Sequence, residues 1–78
     1  MGPEPVDTRA GRALRVALLN CPGVLGHIDG NTIRLAAADD FSLGVAATRA
    51  EVALRGEGLT TTLTRALTAQ PTAAIVIR

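Results

Sequence analysis

Tryptophan, tyrosine and lysine are absent from the chain, and phenylalanine, cysteine, histidine and methionine occur once each. Without large rings, the interior has to be filled by Ala, Val, Leu and Ile, which makes a thin core. One cysteine cannot close an internal disulfide. No apolar run approaches the roughly 20 residues that cross a bilayer, and no charged segment followed by an apolar one opens the chain as an export signal. These absences lead to the expectation of a soluble protein, cytoplasmic or attached to something else. With lysine missing, all eight basic residues are arginine, and the net charge of +1 creates no global field for nucleic acid or an anionic membrane. Abundant arginine and alanine together reflect GC-rich coding more than selection for bidentate recognition.

What is present is 47% hydrophobic in 78 residues, enough to exclude a disordered chain and to make one small domain. Such a domain is marginally stable, and oligomerisation would help it. Two prolines and a glycine in MGPEP suit neither helix nor strand, so residues 1–6 are expected to be a disordered leader before a single domain at 7–78.

Asp7 or Thr8 can cap a first helix, in which Ala10, Ala13, Leu14, Ala17 and Leu18 recur at three-and-four spacing. Asn20 to Gly23 stops it, because Pro22 lacks an N–H and Gly23 tolerates positive φ. Val24–Ile28 and Thr32–Ala37 read as a hairpin around Asp29-Gly30-Asn31. ADDFSLG is a polar break. For residues 45–55, alanine content suits a helix and alternation suits a strand; the strand reading places Ala50, Val52 and Leu54 on one face. Leu59, Leu63, Ala66 and Leu67 form the stripe of a second helix, and Ala73–Ile77 a last strand buried on both faces. The expected fold is α+β, a small two-layer domain of order α-β-β-β-α-β with both helices on one face of a three- or four-stranded sheet.

Chemistry-bearing residues are sparse. Cys21, His27 and Asp29 are all potential zinc ligands, but a structural site needs four protein ligands and there is no second Cys or His. Cys21 and His27 lack an orienting third group. Asp39 and Asp40 diverge in an extended segment, and no glycine pattern matches a phosphate loop. The expectation is no catalytic, cofactor or metal site, with CPGVLGHIDGN a joint between helix and hairpin. Arg9, Arg12 and Arg15 make a basic stripe that offers an alternative reading as a nucleic-acid-binding module, although no aromatic accompanies it to stack a base. A metal-chaperone-like domain is a further alternative, without the CxxC such domains use; a small lipid-binding or periplasmic domain is another, without the export signal.

Three segments, RALRVALLNCPGV, RAEVALRGEGL leading into TTTLTRALTAQ, and the terminal AAIVI, resemble the alkaline shock protein family, the small cell-envelope stress response proteins of Gram-positive bacteria. Shared features are a helix ending in Pro22-Gly23-Val24 and a Val-containing strand that enters a helix followed by a Val- or Ile-rich strand. The longer glycine-rich segment that follows PGV in that family is shortened here to LGHIDGNTIRLAAADD. The resemblance implies a non-enzymatic protein that self-associates beneath the membrane, held there by a membrane-anchored partner, with no small-molecule substrate and no cofactor. The expected homo-oligomer contact is an edge strand at 48–55, with Arg49, Glu51 and Arg55 giving a polar, self-complementary surface.

Overall fold

The structure, a computed structural model, describes residues 4–66 and 68–78. Helix α1 (Val6–Leu18) is followed by β1 (Val24–Asp29), β2 (Thr32–Ala37), α2 (Asp40–Gly56), β3 (Thr61–Ala66) and β4 (Thr72–Ile77). The sheet is antiparallel throughout, in the order β1-β2-β4-β3. Both helices lie on one face of it, as α+β patterning requires.

Two elements depart from the sequence reading. Residues 45–55 belong to a helix, and 61–66 to a strand, so the order is α-β-β-α-β-β. The helix is settled by which residues it buries: Leu43, Ala46, Ala47, Ala50 and Leu54 follow the 3.6-residue repeat and are all buried, while Val52 is 60% exposed. A strand would have put Ala50, Val52 and Leu54 on one side. Its start is written in the supposed polar break, where the Asp39 side chain accepts the backbone N–H of Ser42 at 2.7 Å and the hydroxyl of Ser42 at 3.0 Å. For β3 the β-branched threonines decide: their stiff side chains fit a pleated surface better than a helix interior. Leu59 is buried just before the strand, and Leu63 is a half-buried cross-strand neighbour of Ile75. Leu67, expected on the helical stripe, lies outside the described residues.

The remaining elements follow the expectation closely. Helix α1 reaches back to Val6, into the stretch expected as leader, and its N-cap position is Pro5 with no side-chain cap, so neither Asp7 nor Thr8 plays that role. Residues 1–3 of the expected leader lie outside the described residues. Asn20 turns the chain out of α1 at φ 64, and Gly30 makes the hairpin at φ 63, the positive-φ first position of a two-residue type II′ loop. Strand β4 buries Ala73, Ile75 and Ile77 under the helices, but Ala74 and Val76 are only half-buried on the opposite face.

The helices run antiparallel over the sheet. Arg9 near the start of α1 reaches the last turn of α2, donating to the carbonyl of Glu57 at 2.9 Å, and Arg49 in mid-α2 donates to the carbonyl of Leu19 at 3.1 Å. Between them the seam is alanine, with Ala10, Ala13 and Ala17 buried from α1 and Ala46, Ala47 and Ala50 from α2. Small side chains bring the helices close and leave the larger Ile33, Leu35, Leu43, Leu54 and Ile75 to fill the space above the sheet. Where α1 crosses β1, a Cβ on Gly26 would come within 2.9 Å of Leu35 Cδ2 and 3.0 Å of Leu14 Cδ1. Gly26→Val is therefore expected to destabilise the fold by about 1–3 kcal/mol through overpacking, read as a lowered urea midpoint with unchanged slope.

Candidate interaction surface

Side chains outside the core divide among four places. The first is the ion-paired end of the helix layer. Arg12 bridges Glu57 and Glu4, each at 2.7 Å, while Arg9 closes the end of α2. Two of the three arginines in the α1 stripe are thus engaged with acidic or carbonyl oxygens of the same chain, and Arg15 alone stands exposed without such a bond among the described residues. The hydrogen bonds from Arg12 hold the carboxyls of Glu57 and Glu4 below their ordinary value of 4.5. A carboxylate with a folded-state pKa below its unfolded one stabilises the fold above the unfolded value and loses that contribution as pH falls through the folded value. Thermal melts should accordingly drop as the buffer is acidified below about 4.5, and Glu57→Gln should flatten that dependence.

The second place is the corner between α1 and β1. The thiol of half-buried Cys21 donates to the carbonyl of Ala17 at 3.3 Å, and Arg49 stands 3.5 Å from the sulfur. CPGVLGHIDGN is the corner, β1 and the hairpin turn, as its sequence implied. Cys21 belongs to the corner and packs against the core, whereas His27 and Asp29 lie on β1, exposed on the face away from the helices. No cluster of three metal-ligating side chains forms among the described residues.

That open sheet face is the third place. Registered strands align His27, Arg34, Ala74 and Thr64 in one row and Leu25, Ala36, Thr72 and Ala66 in the next. Small residues in the middle leave a shallow trough of about 590 Å³ with an apolar floor. Its charge is local, since Arg34 lies 3.5 Å from Asp29 and both are more than half exposed.

The fourth place is the outer face of the helix layer, and here the chain breaks the usual amphipathic rule. Helix α2 carries a second row opposite its buried one, Phe41, half-buried Val45 and Val52, with Thr48 the one polar member between them. Phe41, the only aromatic residue, is 80% exposed, with hollows on either side that it shares with Val45. Val16 and Leu19 of α1 are also exposed, Leu19 61%, with Arg49 of α2 bonded to the Leu19 carbonyl. Five of the six large exposed apolar side chains among the described residues (Val6, Val16, Leu19, Phe41, Val52) lie on or beside the helices, and only Leu25 lies on the sheet. Arg49, Glu51 and Arg55, expected along an edge strand, are on α2 instead. Arg49 and Arg55 flank the apolar row, whereas Glu51 lies toward its side. The sequence hides the row because Phe41 falls in ADDFSLG, which reads as a polar break. Asp39, an N-cap residue type that accepts the Ser42 N–H, is the signal in that stretch for a helix start.

No family model and no curated protein matches the chain.

Proposed function

We propose that this domain is a non-catalytic assembly module that works by self-association through the outer face of its helix layer. The observation that carries the reading is the second apolar row of α2. A helix that is apolar on both sides is ordinarily covered on both, and a patch of exposed large apolar side chains on a small domain marks a contact surface. Covering it also answers the thinness of an alanine-rich core, because burial at an interface adds apolar area that the monomer cannot supply. The resemblance to the alkaline shock proteins extends the proposal to a membrane-held partner that recruits the assembly.

Light scattering or sedimentation at tens of micromolar should show a dimer or larger species, and Val52→Asp should give a monomer. Because Val52 is exposed and makes no core contact, the variant should keep the far-UV spectrum and melting temperature of an isolated domain. A wild-type chain that is monomeric at those concentrations overturns the proposal.

A further inference from the structure

The partner that best fits the outer row of α2 is a second copy of the same helix in the opposite direction. We infer that α2 pairs antiparallel with α2 of another chain, Phe41 lying opposite Val52 and Val45 opposite Thr48; this rests on the self-association proposed above. The first argument is spacing. Residues 41, 45, 48 and 52 are separated by four, three and four positions, the seam spacing of paired helices, and that series reads the same from either end. An antiparallel copy therefore fills every rung of the seam with a rung of its own.

Charge separates this arrangement from the parallel one. With Phe41 opposite Val52, Arg55 near the end of one helix falls level with the start of the other, once at each end of the pair, where the exposed Asp40 carboxylate, paired within its own chain with Arg65, has room to accept a second arginine and Asp39 is held by Ser42. A parallel copy would set Arg55 against Arg55 and Asp40 against Asp40, with the helix dipoles aligned rather than opposed. Two further cations stand beside the row: Arg49 is drawn toward α1 by the carbonyl of Leu19, and Arg65 is held by Asp40.

Area is sufficient as well. The 17 residues of α2 span about 25 Å, and α1 widens the face from one helix to two, roughly 20 Å, along the C-terminal part of α2, so each face presents at most about 500 Å². That is about a tenth of the 4782 Å² surface, and two such faces reach the approximately 1,000 Å² expected of a specific interface.

Cysteine cross-linking tests the direction. In a Cys21→Ser background, Phe41→Cys and Val52→Cys are made separately, oxidised alone and as a mixture, and run on non-reducing gels, with light scattering on each sample. An antiparallel seam keeps each cysteine about 16 Å from its own symmetry mate, so disulfide dimers should form in the mixture and not in either variant alone. Arg55→Glu should also weaken wild-type dimerisation by about tenfold, an effect that salt diminishes. Self-cross-linking of Val52→Cys would overturn the antiparallel direction, and dimers by light scattering that cross-link in neither experiment would place the contact elsewhere. Neither result touches the proposal of self-association, which falls only if the unmodified chain is monomeric.

Discussion

Ile75→Ala is expected to leave most of the chain unfolded at physiological temperature. Strand β4 lies inside the sheet, and Ile75 is fully buried there, opposite Ile33 on one side and Leu63 on the other. Truncating a buried isoleucine to alanine costs about 2–5 kcal/mol, with the larger values where neighbours cannot close the cavity. Here the neighbours are held by strand pairing and by helices already in close contact through alanines, so little collapse is available. Small domains sit near the lower end of the 5–15 kcal/mol range of folding stability, so the loss takes most of it. Urea titration followed by circular dichroism reads the effect. Val76→Ala, one residue along and on the half-buried face, is the control and should lose much less. Equal losses at both positions would contradict the assignment of faces in β4.

Ala50→Pro should abolish folding rather than merely assembly. Proline in a helix interior removes one hydrogen bond and drives its ring against the carbonyl of the residue four positions earlier, at a cost of about 3 kcal/mol or more. Position 50 lies in the middle of α2 and is fully buried among the alanines of the helix seam, so the kink also parts α1 from α2. Had residues 48–55 formed an edge strand, proline there would have blocked pairing while sparing the monomer. The far-UV spectrum of the variant distinguishes the two cases directly: loss of helical signal belongs to α2, and a native spectrum with loss of assembly belongs to an edge strand.

Much of the domain was legible in the chain because local chemistry and tertiary burial agreed. Apolar residues at three-and-four spacing wrote α1, the glycine at position 30 wrote the hairpin, and the β-branched run at 73–77 wrote β4. Asn20, Pro22 and Gly23 ended α1 where backbone geometry forbade its continuation. The alanine-rich interior was equally readable, since the composition offers no aromatic alternative.

The two misread elements share a cause. In α2 an outer apolar row overlies the inner one, and the two together imitate the period of a strand: Ala50, Val52 and Leu54 alternate in sequence although Val52 points away from the other two. Around β3, leucines four apart in the sequence, Leu59 and Leu63, imitate a helical stripe, while the threonines between them favour extended backbone. The four-stranded sheet then depends on the exchange, because β3 supplies the fourth strand by pairing with β4, whose other side is taken by β2. By itself the sequence determined the fold class, the corner and hairpin, and the aliphatic makeup of the core, all of which follow from short-range geometry and residue type. Only the tertiary structure decided which residues of 40–66 turn inward, because apolar spacing states that a side chain will be covered and not by what; Phe41 and Val52 are the residues the fold leaves uncovered.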